Sequence, residues 1–372
     1  GDLDGDGDLD ILGKPFNWDT PRLDVWLNEL SSGSLPLDQW QRHVIDTDRP
    51  WRAIFITAAD MDGDNLKDVI TGGWWYKNPG ADPSDTWTRS EFGSPLNNMA
   101  TVYDFDNDND PDILGTTGQG SDSSDTFVWA QNNGSGQFNI LDNVSNGDGD
   151  FLQGVSVGRF QNGDIAAALS WHQGNKGVQL LSVPGDPLNQ TWPWSQISPV
   201  SQDEALSSGD IDKDGDLDLL LGTKWLRNEG AAWTAFDLYI PNGDPDRNRL
   251  ADINGDGTLD AVVGFEAISK QGKLAWYEQA AAPTDLWTEH IIADPAVIGP
   301  MSLDVADMDA DGDLDVVVGE HNTANPSSAS LYVFENLDGS GLDWSRHIVY
   351  TGDEHHDGAQ VVDIDNDGDL DI

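Results

Sequence analysis

Short apolar runs recur along the whole chain, each bounded by Gly, Asn, Asp or Pro. The clearest interval begins with Ser302-Leu303-Asp304-Val305-Ala306, passes through an acidic segment into Val316-Val317-Val318, and continues with Leu331-Tyr332-Val333-Phe334-Glu335-Asn336 and Trp344-Ser345-Arg346-His347-Ile348-Val349. Runs rich in β-branched and aromatic residues between turn formers predict strands. No segment carries a sustained helical period. Each unit therefore holds four strands, A to D, in about fifty residues, the signature of a propeller blade. The expectation is an all-β fold, a seven-bladed β-propeller forming a single domain over residues 1–372. Seven B–C–D sets are present, and the run from Ala359 to Ile364 is placed to supply the A strand missing at the start. Trp40, Trp87, Trp192, Trp233, Trp287 and Trp344 start or precede the D strands, where packing between blades accounts for them.

The acidic segment between strands A and B is the most regular feature. Asp307, Asp309 and Asp311 alternate, Gly312 takes the sharp turn, and Asp315 follows. Hard oxygens at positions one, three, five and nine, with a backbone carbonyl at seven, suit Ca²⁺ better than the stricter octahedral Mg²⁺. Equivalent sets are Asp2, Asp4, Asp6 and Asp10; Asp60, Asp62, Asp64 and Asp68; Asp104, Asp106, Asp108 and Asp112; Asp210, Asp212, Asp214 and Asp218; Asp252, Asn254, Asp256 and Asp260; and Asp363, Asp365, Asp367 and Asp371. Asn65 and Asn109 replace the turn glycine in two of them and tolerate a left-handed backbone. A decayed copy at Gly158–Asp164 has lost its first three carboxylates and is expected to bind no ion. Several structural Ca²⁺ ions are thus expected.

These loops change the meaning of the composition. A formal net charge of -49 would suggest disorder, but nearly half of the carboxylates sit in the loops and each ion offsets two of them. Without ions, clustered carboxylates repel, so stability should depend on Ca²⁺. The same acidity argues against nucleic acid or an anionic membrane as a partner. With no cysteine, disulfides and thiolate catalysis are excluded. Low-affinity Ca²⁺ loops point to a secreted, periplasmic or cell-surface setting. No signal peptide or transmembrane stretch is visible. The chain begins inside one acidic loop and stops just after another, as a fragment of a longer protein would, and a parent with eight blades is compatible with that.

The repeated Asp-x-Asp-x-Asp-Gly-x-x-Asp before a Leu-Asp-Val-Val-like strand resembles the FG-GAP or VCBS repeat propellers, the family that includes the integrin α-subunit head. A narrower resemblance rests on residues 13–22, on Glu320-His321-Asn322 and on Glu354-His355-His356-Asp357-Gly358. These are similar to the propellers of sugar-active proteins, including aldos-2-ulose dehydratase and some polysaccharide lyases. That resemblance implies elimination chemistry on sugars.

In an up-and-down blade the metal loops occupy one face, the bottom. Residues just after B strands or before A strands gather on the other face, around the channel mouth. His172, His321, His355 and His356 fall there, as do Arg22, Arg52, Lys224 and Arg249. A lyase needs a base for the α-proton and a cation for the developing enolate. His172, His321, His355 and His356 with Arg22 and Arg249 are therefore the catalytic candidates. Lys14, Trp18, Arg52, Trp75, Lys224, Trp225 and Glu320 are candidates for binding substrate, the indoles by stacking on pyranose faces. His321 with His355 or His356, next to Glu320, is also a candidate site for an additional divalent metal. His43, His290 and His347 share one D-strand position and are expected to be structural.

Three functions compete: an extracellular enzyme eliminating on uronic-acid or oxidised-sugar substrates; a non-catalytic module binding carbohydrate or an extracellular protein; and a scaffold with no ligand beyond Ca²⁺. No serine nucleophile elbow, phosphate loop, zincin helix or Rossmann glycine pattern appears.

Overall fold

A computed structural model describes residues 11–13, 22–28, 37, 40–80, 85–160, 163–202, 204–240, 243–355 and 359–361. Apart from two three-residue 3-10 turns, Gly174–Lys176 and Pro326–Ser328, its regular structure is all strand. Six blades are each made of four consecutive antiparallel strands, spanning residues 56–91, 98–141, 152–198, 207–237, 245–298 and 300–351. They are numbered 1 to 6 in that order. In blade 6 the A to D strands are Pro300–Ala306, Asp315–Glu320, Ser330–Asn336 and Trp344–Thr351.

Six contiguous blades, rather than the expected seven, are thus formed. The remaining sheet is composite: Ala359–Val361 pairs with Ile11–Gly13, which leads to Leu23–Asn28 and Trp40–Asp46. The sequence expectation had assigned the late run to this pairing. The physical reason is edge protection, since an open A edge would expose unpaired backbone groups. The composite sheet shares one apolar cluster with blade 6, through Trp26, Val317, Val333 and Ala359. It shares another with blade 1, through Leu23, Val25, Val69 and Trp74.

The A strands face the axis and line a central channel. The B strands are buried on both faces, as in Asp315–Glu320, every residue of which is buried. That is why the sequence reads there as continuous apolar runs. D strands lie at the rim and are largely half-exposed, as in Trp344–Thr351. Trp87, Trp192 and Trp287 are buried just before D strands, in clusters that join neighbouring blades.

A second device joins the blades at the bottom. The ninth loop carboxylate is buried in all five described acidic loops, at Asp68, Asp112, Asp218, Asp260 and Asp315. One oxygen accepts the backbone N–H of loop residue two (Met61, Phe105, Ile211, Ile253 or Met308) at 2.9–3.1 Å. The other accepts the backbone N–H of the residue closing the C strand (Asn78, Asn132, Asn228, Gln279 or Asn336) at 2.8–2.9 Å. The side-chain amide of that last residue reaches across to the preceding blade. Asn132 donates to the Met61 carbonyl, Asn228 to Phe160, Gln279 to Ile211 and Asn336 to Ile253, at 3.0–3.1 Å. Even the decayed copy keeps its buried Phe160 for this purpose.

Loss of the Asn228 amide strands the buried Phe160 carbonyl, the part-buried Leu217 carbonyl and the Gly230 N–H, each unsatisfied buried group costing roughly 1–3 kcal/mol. Asn228→Ala should therefore destabilise the protein by about 3 kcal/mol. Urea denaturation checks this; an unchanged midpoint would remove the clasp from the account of inter-blade cohesion.

Candidate functional site

The bottom loops are built as the spacing predicts. In blade 6, Asp307 accepts the N–H groups of Asp311 and Gly312 at 3.1 and 2.9 Å, and Asp311 accepts that of Asp313 at 2.9 Å. Position six is left-handed in each, with φ of 70° at Asn65, 74° at Asn109 and 100° at Gly312. Carboxylate oxygens of Asp60, Asp62 and Asp68 lie within 4.8 Å of one another, as do those of Asp104, Asp106 and Asp108, of Asp210, Asp212 and Asp218, and of Asp307, Asp309 and Asp311. Burial and the neighbouring Asp311 carboxylate push Asp309 up to about 6. Burial pushes Asp315 up to about 8, against its two backbone hydrogen bonds. Buried carboxylate oxygens of Asp62, Asp106, Asp210 and Asp212 have no hydrogen-bond partner. Crowded, partly orphaned hard oxygens fit a divalent cation of the Ca²⁺ kind.

The ninth carboxylate, a predicted ligand, is also the backbone clasp described above. In the Asp252 loop Asn254 stands at position three with an amide oxygen in place of a carboxylate. Asp2, Asp4, Asp6, Asp10, Asp363, Asp365, Asp367 and Asp371 lie outside the described residues, as do Lys14, Trp18 and His356.

The top-face candidates do not meet in one pocket. His172 is exposed, with Nδ1 3.0 Å from Asp150 and its ring stacked on Phe151 at 4.5 Å. His321 is buried and bonded through Nδ1 to the Glu354 carboxylate. Burial lowers Arg52 to about 10, opposed by the field of that same Glu354. His355 is fully buried between blade 6 and the composite sheet, edge-on to Trp26 at 5.3 Å and to Tyr350 at 6.1 Å. Neither of its ring nitrogens has a hydrogen-bond partner. Burial, with help from Arg42 and Arg22, lowers it to about 3, so it is a neutral ring at ordinary pH. Arg22 is paired with Asp353 and lies 3.8 Å from Asp24.

Several assigned roles need correction. Trp75 and Trp225 are buried in inter-blade clusters, so their faces are not open to a sugar. Glu320 is buried, its oxygens taken by the N–H groups of Ile298 and Ser330 at 2.8 and 3.0 Å. It braces the end of its strand. Lys224 is paired with Asp237. Among the described residues no three-ligand group forms at the top face, so the additional metal expected there has no described set of ligands. Of the D-strand histidines, His290 and His347 pair with Glu278 and Glu335 on the adjacent C strands at 3.0 and 2.7 Å.

The channel runs between the A strands, and Arg249, a candidate from the sequence, lines it. A cavity of ≈ 210 Å³ is lined by Thr57, Thr101, Gln153, Arg247, Arg249 and Ser302 among others. Arg249 Nε donates to Asp304 at 2.8 Å. Arg247 lies 2.8 Å from Asp246 and 3.3 Å from Glu204. The signal was available as polar residues at alternate positions of the A strands, Arg247 with Arg249 and Ser302 with Asp304.

Ring, loops and channel define a β-propeller with carboxylate-bearing A–B loops. Residues 252–318 match the FG-GAP-like repeat, a stretch running from the loop of blade 5 through the B strand of blade 6. The same acidic loop stands at the same place in blades 1, 2 and 4, so the chain is a β-propeller that carries an FG-GAP-like repeat. Among solved structures it is similar to a putative 6-phosphogluconolactonase from Bacteroides uniformis ATCC 8492 (TM-score 0.52, 9% identity, covering 95% of this chain and 99% of that one). It is also similar to the BP39L lectin from Burkholderia pseudomallei (TM-score 0.49, 12% identity, covering 91% and 98%). At these identities the likeness is one of fold. No curated protein matches the sequence. The narrower resemblance to sugar-processing propellers gains no support from these matches. Among the described residues no helix is long and apolar enough to cross a membrane.

His355 gives a pH signature. The unfolded imidazole titrates near 6.5 and the folded one near 3, so between those values the unfolded chain binds more protons. Its contribution is complete above about pH 6.5 and is lost as pH falls below that, by up to about 1.4 kcal/mol per pH unit. His355→Phe should gain stability relative to wild type as pH drops from about 6.5 to about 4.5. Parallel pH-stability curves for the two proteins would contradict the buried neutral ring.

Proposed function

We propose that this is an extracytoplasmic, Ca²⁺-stabilised propeller module that binds carbohydrate at the channel, with the composite sheet serving as its seventh blade. The observation that carries the reading is the channel lining. Arg249 and Arg247 are each charge-balanced by adjacent carboxylates, and hydroxyl and amide side chains fill the gaps between them. Balanced, planar donors beside acceptors suit the hydroxyls of a neutral sugar better than a bare anion. The ≈ 210 Å³ volume suits one sugar-sized group. The dispersal of His172, His321 and His355 favours binding over turnover.

A second reading keeps elimination on a uronic-acid or oxidised-sugar substrate. Its support is the His321–Glu354 pair beside Arg52, an imidazole–carboxylate couple with a cation whose field it feels. His321→Gln should then abolish the rise in absorbance from an unsaturated product. Unchanged turnover in that variant would sink it.

For the binding reading, Arg249→Gln should weaken binding of a monosaccharide panel at least about tenfold, the scale of one lost charge-assisted hydrogen bond. Saturation-transfer NMR reads the result, and equal binding by both proteins would overturn the channel assignment. For the loops, adding Ca²⁺ should raise the melting temperature and a chelator should lower it. Each site contributes about 2.7 kcal/mol when free ion is about a hundred times its Kd. A melting temperature indifferent to both would contradict ion binding.

A further inference from the structure

One C-strand position distinguishes the loops from one another. It precedes the clasp amide and is Lys77 in blade 1, Gln131 in blade 2, Arg227 in blade 4, Glu278 in blade 5 and Glu335 in blade 6. In blade 1 the Lys77 ammonium is bonded to Asp62 and, at 2.6 Å, to Asp64. These are the carboxylates at loop positions three and five, so the ammonium stands where a shared cation would stand. In blade 2 the neutral amide of Gln131 donates to Asp106 at 2.7 Å. Arg227 is held by Glu229 instead. In blade 6 the position is itself acidic, Glu335 facing His347 at 2.7 Å.

We propose that Lys77 is a built-in counter-ion for the blade 1 loop, which keeps that loop from taking Ca²⁺, whereas the loops of blades 2 and 6 depend on a bound ion. The inference rests on the calcium reading above. Each carboxylate of the blade 1 loop already has a partner within the chain through at least one oxygen, the buried Oδ1 of Asp62 alone being left without one in this set. Asp60 accepts the N–H groups of Gly63, Asp64 and Asn65 at 2.8–3.2 Å. Asp62 and Asp64 hold Lys77, and Asp68 accepts those of Met61 and Asn78. An entering divalent cation must expel an ammonium that is a compact point charge, or bind within a few ångströms of it. At blade 6 no such cation opposes entry, and the extra carboxylate favours it.

The experiment is equilibrium dialysis of the full chain with radioactive Ca²⁺, counting ions per chain. Lys77→Gln should bind one ion more than wild type, while Lys77→Arg should keep the wild-type count. Glu335→Lys should bind one fewer. Without Ca²⁺, Lys77→Gln should melt below wild type and recover when the ion is added. Equal counts in wild type and Lys77→Gln, with ions bound elsewhere, overturn the counter-ion role alone. A wild type that binds no Ca²⁺ overturns the loop reading and this inference with it. If Lys77→Gln fails to fold, an unchanged count in Glu335→Lys overturns the proposal equally.

Discussion

The buried ninth aspartate of each described acidic loop is the constraint on which the rest of the molecule depends. Its two oxygens tie the start of the loop to the end of the C strand within one blade. The amide fixed by that tie then reaches the carbonyl of the previous blade's loop. A carboxylate buried without partners would be costly, and two backbone N–H groups make it tolerable. The same bonds set the loop's shape, which brings the first three carboxylates together. The bonds that join the blades therefore also gather the loop carboxylates. The decayed loop supports the separation of these roles: it has lost the carboxylates, yet buried Phe160 still offers its carbonyl to Asn228.

Much of this was legible in the sequence because the repeat exposes it. Strand order, the A–B position of the loops, the pairing of the late A strand with the first strand and the left-handed Asn65 and Asn109 all follow from spacing and turn chemistry. The contiguous blade count was less legible, since nothing in a repeat says which copy is completed by a distant segment. The top-face residues were poorly legible for a different reason. Trp75 and Trp225 stand next to loops in the sequence, but propeller B and C strands are buried on both faces, so proximity to a loop does not mean exposure. Glu320 and His321 likewise look available until the partners from Ile298, Ser330 and Glu354 are placed around them. Arg249 is legible as a candidate at an A strand; the structure places it with Arg247 inside Pro245–Ala251 rather than before it, and the period-two alternation marks that position.

The charge balance explains why the two faces behave differently. The chain has 18 Lys and Arg against 67 Asp and Glu, so cations are scarce, and most of the paired ones are placed between or inside blades. Arg42 holds Asp24 at 2.9 Å, Arg89 holds Asp46 at 2.7 Å, Lys273 holds Glu289 at 2.6 Å and Arg249 holds Asp304 at 2.8 Å. Burial keeps His355 neutral, and the fields of Arg42 and Arg22 add to that effect. Once these cations are committed to the channel and the blade seams, the bottom loops have few internal partners left. They must share carboxylate charge among themselves or recruit it from solution. The channel face, by contrast, is balanced within the chain and can present oriented donors and acceptors whatever the ionic conditions. An acidic protein built this way gathers its unbalanced carboxylates on the face away from the channel.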